Sequence, residues 1–382
     1  MKSYLIFILL LSSAIFLNTD LVLSMDIAQV SEGPGTREGP CLAYDPFSNV
    51  TMLFGGDETI EDTWFYDYAT NTWTEHAGTS PPGRINAGMV YCGESNEMIM
   101  YGGLGDTRTW SFNCETQTWS QVTTTHNPGP HQSHAMAFDS VENAVILFGG
   151  ISSSAMTPVD DIWMFDCETR DWTELHPPTV PLARYGHVMT YDVSNDMIIM
   201  ALGNTFEDGF QNDFWTYDIS TNTWTEITVI GNPDSLKWSS MVYDSINEKN
   251  ILFGGCVIEP SYEAVDDTCE FDAETGTWTV LEPASAPVPR IAPGLAFDSR
   301  EGIVVLHGGV NAGGDTKYSD TWTFSYTSNT WTDMGLISTT TTSTTSGTNT
   351  VSTPPDLLTI SVLVGVFGIA IFAVAFLLRK RS

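Results

Sequence analysis

The sequence predicts an all-β domain of repeated antiparallel sheets, followed by one transmembrane helix. The 382 residues include 32 glycines, 12 tryptophans and 13 tyrosines, and 12% are aromatic. One aromatic and glycine-rich unit recurs along most of the chain, and a long apolar stretch without charge lies near its end. This composition and pattern are unlike those of a helical bundle or a disordered acidic tail.

The charge balance is strongly acidic and limits the possible partners. The 47 Asp and Glu residues face 14 Lys and Arg, for a formal net charge of −33. Sequence-independent binding of nucleic acid needs cations that neutralise phosphates. We therefore expect no nucleic-acid partner.

The first element, residues 1–24, is a predicted signal peptide. Lys2 supplies the positive charge of the amino-terminal region, Tyr4–Leu17 is an apolar run, and Val22-Leu23-Ser24 is an acceptable cleavage site. A membrane anchor is the alternative, but about 14 apolar residues are short for a span.

The second element, residues 25–337, contains six copies of one unit. Four copies end a strand with an aromatic residue and a Gly-Gly pair, and copy six has His307 before its pair, whereas copy four has Ala201-Leu202-Gly203. Two aromatic residues follow in each copy, except that Cys269 precedes Trp278 in copy five. The repeated pairs are Trp64 and Trp73, Trp110 and Trp119, Trp163 and Trp172, Trp215 and Trp224, and Trp322 and Trp331. Eleven of the twelve tryptophans are thus placed by the repeat.

Each copy is predicted to form four short strands, A to D, because alternating apolar residues are separated by Asn, Asp and Gly turns. Four-stranded sheets arranged around an axis form a β-propeller. The Gly-Gly pair, the following aromatic residue and the Trp in the last strand closely resemble the kelch repeat. The resemblance covers all six copies and implies a six-bladed kelch-type β-propeller with strand A nearest the central channel.

The spacing within the copies predicts a recognition face. The interval from the Gly-Gly position to strand C is 9, 8, 14, 13, 15 and 14 residues, whereas the other measured intervals are constant within one residue. Variable loops on a rigid scaffold are typical of a binding surface. Tolerated insertion is the alternative, because surface loops accept extra residues at little energetic cost.

A repeated basic position predicts a ligand site at the channel rim. Seven residues before the strand A aromatic, the copies carry Arg37, Arg84, His131, Arg184, Leu236 and Arg290, with Lys237 next to Leu236. In one interpretation Arg37, Arg84, His131, Arg184 and Arg290 bind an anionic group, as the family resemblance also implies. In the other, they pair with the loop acids Asp62, Asp161, Asp213, Asp267 and Asp320 and only support the loops.

No catalytic residues, metal site or cofactor are predicted. His131, His134 and His187 could hold a metal, but the kelch pattern accounts for His134 and His187 without one. The long loops carry acids that could bind Ca²⁺, yet their spacing matches no EF-hand. Galactose oxidases share kelch-like blades, but no comparable copper-ligand set is evident in this sequence.

Six cysteines in an exported chain suggest disulfides. Cys256 and Cys269 bracket the longest B–C loop and are the predicted pair. Cys92 with Cys114 is a second candidate, and Cys167 is expected as a free thiol, like Cys41.

The remaining elements predict a membrane anchor. Residues 338–356 are rich in Thr and Ser and form a predicted stalk. Residues 357–378 contain no charge and are long enough for a transmembrane helix. Residues 379–382 contain three cations and form a predicted cytoplasmic tail, which places the propeller outside.

We therefore predict a single-pass cell-membrane protein with an extracellular propeller. Its expected function is non-catalytic binding of an extracellular protein or glycan, including anionic ones, through the B–C loop face. The alternatives are a propeller enzyme, either an oxidoreductase or sugar-acting, and a structural cell-surface coat protein.

Overall fold

The computed structural model describes residues 33–231, 234–258, 261–335, 363–366 and 369–372. Within these residues, six four-stranded antiparallel sheets follow one another along the chain, and each is built from contiguous sequence. The predicted signal peptide and stalk lie outside the described residues.

The six sheets have the same strand order and nearly the same strand lengths. Sheet 1 contains β1 (Cys41–Asp45), β2 (Val50–Phe54), β3 (Thr63–Asp67) and β4 (Thr72–Glu75). Sheet 2 contains β5 (Gly88–Cys92), β6 (Glu97–Tyr101), β7 (Thr109–Asn113) and β8 (Thr118–Val122). Sheet 3 contains β10 (Ala135–Asp139), β11 (Ala144–Phe148), β14 (Ile162–Asp166) and β15 (Asp171–Leu175). Sheet 4 contains β16 (Val188–Asp192), β17 (Met197–Ala201), β20 (Phe214–Asp218) and β21 (Thr223–Ile227). Sheet 5 contains β22 (Ser240–Asp244), β23 (Lys249–Phe253), β26 (Thr268–Asp272) and β27 (Thr277–Leu281). Sheet 6 contains β28 (Gly294–Asp298), β29 (Ile303–His307), β30 (Thr321–Ser325) and β31 (Thr330–Asp333).

The sequence has its long B–C connections in sheets 3 to 6, and short strands extend the loops of sheets 3 to 5. β9 (His131–Gln132), β12 (Ile151–Ser152) and β13 (Thr157–Pro158) form a three-stranded sheet. Two hairpins pair β18 (Asn204–Thr205) with β19 (Gly209–Phe210), and β24 (Cys256–Val257) with β25 (Glu263–Ala264). These loops therefore have ordered backbone pairing of their own.

The first strands of neighbouring sheets contact one another, and β1 contacts both β5 and β28. The six sheets consequently form a closed ring. The apolar core lies between adjacent sheets; for example, Met52 and Phe54 of sheet 1 pack with Met98 and Phe112 of sheet 2. The all-β prediction is confirmed, and the arrangement is consistent with a kelch-type β-propeller.

A circle of six backbone hydrogen bonds joins all the sheets just before their first strands. Each member donates its N–H to the carbonyl of the member before it, and the first donates to the last, at 2.8 to 3.1 Å. All six members have a positive φ, between 47° and 62°. The members are Gly39, Asn86, Ser133, Gly186, Trp238 and Ala292. Four of them are residues other than Gly, so the circle stabilises a backbone conformation that most side chains disfavour.

Tryptophans of the outer strands provide a second repeated link. The Nε1 atoms of Trp119, Trp172 and Trp331 donate to a threonine Oγ1 that begins the third strand of the preceding sheet, at 2.8 to 2.9 Å. Ile162 occupies that threonine position in sheet 3, and no described residue supplies an acceptor to the buried Nε1 of Trp224. The strength of the contact between sheets therefore varies around the ring.

The described part of the predicted transmembrane helix, residues 357–378, differs from the prediction. β32 (Leu363–Val366) pairs antiparallel with β33 (Ile369–Phe372), in a separate unit of residues 338–382. Both segments are rich in Val, Ile and Phe, which favour strands, and a short apolar run does not by itself distinguish strand from helix. In the portions of the chain that the structure covers, we find no helix of the length and apolarity needed to cross a membrane.

Candidate functional site

The four arginines of the predicted rim are buried, with at most 1% of their surface exposed. Arg184 is representative: its two terminal nitrogens donate to the two carboxylate oxygens of Asp213 at 2.6 and 2.8 Å. Its Nη1 also donates to the carbonyl of Leu202, and its Nε donates to the carbonyl of Leu182. The guanidinium therefore joins the connection from the preceding sheet, the turn after the second strand and the end of the B–C loop.

We call this arrangement the clamp: one buried arginine bound to the acid of the B–C loop and to the carbonyl of the turn after the second strand. The clamp recurs with small variations in three other sheets. Arg37 and Arg290 make two-nitrogen contacts with Asp62 and Asp320, and the Arg84–Asp106 pair spans 3.0 Å. Each of these arginines also donates to the carbonyl of the residue 18 positions later, in the Gly-Gly turn. The repeat thus supplies both the cation and its neutralising acid.

A tryptophan two residues after the acid adds one more hydrogen-bond donor to the carboxylate of the clamp. Trp215 Nε1 donates to Asp213 Oδ2 at 2.7 Å, and Trp64, Trp163 and Trp322 make the equivalent contact. Burial would raise the pKa of Asp213, but the hydrogen bonds and charge of Arg184, together with Trp215, leave it below its ordinary value.

Sheet 3 has a weaker version of the clamp, because a histidine replaces the arginine. His131 Nε2 lies 3.4 Å from Asp161 Oδ2. Burial lowers the pKa of His131 and raises the pKa of Asp161, so both neutral forms are favoured. This contact resembles a neutral polar pair more than an ion pair.

These positions change the interpretation of the predicted ligand site at Arg37, Arg84, His131, Arg184 and Arg290. All five side chains are buried and face a carboxylate within the same protein. The geometry favours the interpretation in which they support the loops. An anionic ligand would have to displace these acids, since each sits on the donor edge that a ligand would need.

Sheet 5 departs from the clamp. Leu236 is buried at the arginine position, and none of the described cations lies beside Asp267. Burial and the nearby charges of Asp266 and Asp234 raise the pKa of the Asp267 carboxyl. The adjacent Lys237 turns away from this acid, toward the loops of sheet 4.

Lys237 lies within a group of four aromatic rings, which we call the aromatic cluster. Its Nζ is 4.1 Å from the ring centre of Trp238, and 4.7, 5.4 and 5.5 Å from those of Phe210, Tyr262 and Tyr185. These distances suit cation–π attraction. Burial lowers the pKa of Lys237. Among the described residues, no carboxylate is ion-paired with this ammonium group.

The aromatic cluster continues into an exposed apolar surface. The rings of Tyr185 and Phe206 are 6.2 Å apart, and Phe206 is 61% exposed. Phe206 also lines a pocket of about 360 Å³ between the loops of sheets 3 and 4, together with Val180 and Leu182. Two acids, Asp160 and Glu207, stand in the same lining.

The sequence predicted this face but not its key residues. Variable B–C spacing pointed to the long loops of sheets 3 to 6, and those of sheets 4 and 5 carry Phe206, Phe210 and Tyr262. Trp238 was missed, although one signal was available: it is the one tryptophan that the repeat does not place. The ring of Trp238 packs closely against Gly186, since a Cβ at that glycine would lie 2.6 Å from Trp238 Cδ1. This packing holds the ring in position.

The histidines proposed as metal candidates lie inside the protein. His134 and His187 are buried, and burial, followed by the charge of Arg184, lowers the pKa of His187 to about 3. Across residues 33–231, 234–258 and 261–335, no three His, Cys, Asp or Glu side chains are grouped closely enough to hold a metal ion.

The predicted Cys256–Cys269 bridge is not formed in the structure. Both thiols are free and pack in different apolar clusters: Cys256 with Ile291 and Val310, and Cys269 with Phe271. Cys256 Sγ instead faces the carbonyl of Lys237 at 3.6 Å. Loop-bracketing positions therefore did not bring the two sulfur atoms together.

Comparison with known proteins identifies related sequences. The family model described as the KLHDC2/KLHL20/DRC7 Kelch-repeats domain matches residues 12–179 and 137–357. Multiple epidermal growth factor-like domains protein 8 of Mus musculus is 27% identical over 263 residues, which are 63% of this chain and 9% of the relative. Kelch domain-containing protein 2 of Bos taurus is 27% identical over 262 residues, 58% of this chain and 62% of the relative. Kelch domain-containing protein 10 of Homo sapiens is 24% identical over 267 residues, 66% of this chain and 58% of the relative. The match therefore spans less than two thirds of each of these relatives.

Proposed function

Because the chain belongs to the kelch-repeat family, we propose that it is a non-catalytic protein-binding module with one propeller blade in each of its six sheets. Kelch propellers generally bind other proteins. The binding surface is the B–C loop face of sheets 3 to 5, including the aromatic cluster and the adjacent pocket.

The observation that carries this proposal is the continuity of apolar and aromatic side chains on that face. Phe206 and Tyr262 are 61% and 41% exposed, and Leu182 is 44% exposed. Exposed aromatic residues around a pocket are typical energetic centres of protein interfaces. On so acidic a chain, an apolar patch of this kind needs a reason, and a partner supplies one.

The chemistry of the surface also indicates the partner. Asp160 and Glu207 border the pocket, and the rim arginines are already neutralised by their own acids. A partner protein that inserts an apolar side chain and presents cations beside it would match both features. A glycan is the alternative ligand, and the experiment below tests it.

We further propose that the propeller faces the cell exterior. Support comes from the sequence: the signal peptide of residues 1–24, the stalk of residues 338–356, the apolar span of residues 357–378 and the cationic tail of residues 379–382. Epitope tags in the stalk and at the carboxyl end test this topology. The stalk tag should bind antibody on intact cells, and the terminal tag only after permeabilisation; the reverse pattern would reject the orientation.

The binding proposal is tested with the full chain in lipid nanodiscs, screened against arrays of extracellular protein domains and of glycans. The test variant changes Phe206 and Tyr262 to Ser, and the control changes Phe47 and Val193 to Ser. The control residues are similarly exposed, at 56% and 47%, but lie in turns at the opposite ends of the strands.

A protein hit should lose at least about tenfold in affinity with the test variant, because hot-spot residues contribute more than about 1.4 kcal/mol each. The control should bind like the wild type. Equal binding by both variants, or loss in the control alone, would place the site elsewhere. Hits confined to glycans would replace the protein partner with a carbohydrate one.

A further inference from the structure

Two cysteines from neighbouring sheets meet inside the protein. Cys92 is the last residue of β5 in sheet 2, and Cys167 directly follows β14 in sheet 3. Their sulfur atoms are 3.0 Å apart, and both side chains are buried. The sequence had suggested Cys114 as the partner of Cys92 and a free thiol at Cys167. The fold brings a different pair together.

We propose that Cys92 and Cys167 form a disulfide bond that links sheets 2 and 3. A disulfide S–S distance is about 2.05 Å, so a closure of about 1 Å converts the contact into a bond. This step requires only a small rearrangement of two side chains that already point at each other.

The other cysteines show how specific this contact is. Cys41 Sγ faces the carbonyl of Ala87 at 3.3 Å, and Cys114 Sγ faces that of Phe112 at 4.0 Å. Cys256 Sγ faces the carbonyl of Lys237. Within the described residues, which include all six cysteines, Cys92 and Cys167 are the one pair whose thiols are hydrogen-bonded to each other.

The surroundings already hold these two sheets together. Both cysteines belong to an apolar cluster with Phe165 and Trp172. Beside it, Arg170 of sheet 3 forms an ion pair with Glu97 and donates to Ser111 Oγ at 3.0 Å, both in sheet 2. These contacts fix the relative position of the two sheets, so the sulfur atoms are held in register.

The cross-link forms by thiol–disulfide exchange with a low-molecular-weight disulfide such as oxidised glutathione. One cysteine thiolate attacks a sulfur of the oxidant, which gives a mixed disulfide and releases one glutathione. The second thiolate then displaces the other glutathione and completes the Cys92–Cys167 bond. Two cysteine thiols are oxidised, one glutathione disulfide is reduced to two thiols, and these take up the two cysteine protons.

The timing of this chemistry follows from burial. The hydrogen bond from Cys167 and burial raise the pKa of the Cys92 thiol well above its ordinary value. Cys92 is therefore rarely a thiolate in the folded protein, and burial of both sulfur atoms keeps the oxidant away, so exchange is slow there. Bond formation belongs to folding, before sheets 2 and 3 close over the two sulfur atoms, and an exported chain would meet a suitable oxidant at that stage.

The test uses the full chain isolated from its expressing cells with free thiols blocked by N-ethylmaleimide under denaturing conditions. Of the six cysteines, at least two should resist alkylation until a reductant is added. Peptide mapping should recover a fragment containing Cys92 joined to a fragment containing Cys167. Dithiothreitol should cleave this link in denaturant and leave it intact in the native protein.

Matched variants complete the test. Cys114→Ser changes an equally buried thiol of sheet 2 and should leave the linked peptide unchanged. Cys92→Ser should remove it and expose Cys167 to alkylation. Wild-type protein in which Cys92 and Cys167 are both alkylated without reductant overturns the proposal, as does a link from Cys92 to Cys114. This result is independent of whether the binding face has a partner.

Discussion

Replacing Arg184 by Leu should remove one complete clamp and destabilise the propeller. Leu is the native residue at the equivalent position in sheet 5, so the backbone accepts it there. The change removes both guanidinium donors from Asp213, which keeps the donor of Trp215, and leaves the carbonyl of Leu202 without its side-chain donor. Loss of one partner of a buried ion pair typically costs about 3–5 kcal/mol. Asp213 retains some exposure to water, so we expect a value near about 3 kcal/mol.

The sign of the pH dependence gives an independent check. In the wild type the folded pKa of Asp213 is lowered, so its contribution to stability is complete above the unfolded pKa of about 3.9. That contribution is lost as the pH falls through the folded pKa. Without Arg184, burial should instead raise the pKa, as it does at Asp267. The destabilisation caused by Arg184→Leu should therefore be largest near neutral pH and shrink in acid.

The assay is denaturant unfolding of the full chain, followed by tryptophan fluorescence at several pH values. Asp213→Ala and the double variant complete a thermodynamic cycle, and the double variant should lose less than the sum of the single losses. A loss below about 1 kcal/mol for Arg184→Leu, or strictly additive losses, would refute the view that the clamp is structural. Stabilisation of the wild type by sulfate or acidic peptides bound at Arg184 would also refute that view.

Three further changes test other parts of the same framework. Thr268→Val should cost about 1–3 kcal/mol in unfolding free energy, because it leaves the buried Trp331 Nε1 without an acceptor, whereas the exposed Thr225→Val should have little effect. Asp267→Asn should stabilise the protein at pH 7 but not below about pH 4, because the raised pKa of Asp267 means that its charged form is disfavoured in the fold; a stability change independent of pH would contradict this. Burial, followed by the charge of Arg37, lowers the pKa of His307 to about 3, so this residue alone should make wild-type stability fall as the pH drops below about 6.5, by at most about 1.4 kcal/mol per pH unit. His307→Phe, which copies Phe54 of sheet 1, should remove this share of the dependence in melts at pH 5 and 7.5 and leave the share of the other buried histidines, such as His187. An unchanged slope would exclude His307 as a contributor.

The sequence predicted the framework because the repeat displays it six times. The Gly-Gly pair and the paired aromatics correctly placed four strands in each copy. Of the acids expected as alternative partners, Asp62, Asp213 and Asp320 pair with arginines. Arg84 pairs instead with Asp106, which was not among them, and Asp267 has Leu236 in place of an arginine. A single sequence could not decide between the two roles of Arg184, because burial and the two-nitrogen contact with Asp213 are properties of the folded chain.

Features that depend on neighbouring sheets were not predictable in the same way. The Cys92–Cys167 contact joins residues 75 positions apart, and Cys92 stands where the first strand of each of the other five sheets ends in Asp. The circle of backbone hydrogen bonds likewise depends on a positive φ at one position in each copy, where Gly39 and Gly186 are the only glycines. Local sequence signals describe a sheet, whereas these contacts arise between sheets.

Sheet 5 indicates how one framework supports both stability and recognition. Where the clamp is complete, its arginine is neutralised and buried, and the loop above it is tied to the propeller. At Leu236 the clamp is absent, Asp267 is left without a cation, and the neighbouring Lys237 enters the aromatic cluster instead. The loss of one framework contact therefore coincides with the aromatic cluster around Lys237. If that exchange created the binding face, Leu236→Arg should restore a pair with Asp267 and stabilise the fold while weakening partner binding. A stabilised variant that binds normally would show that the two features are independent.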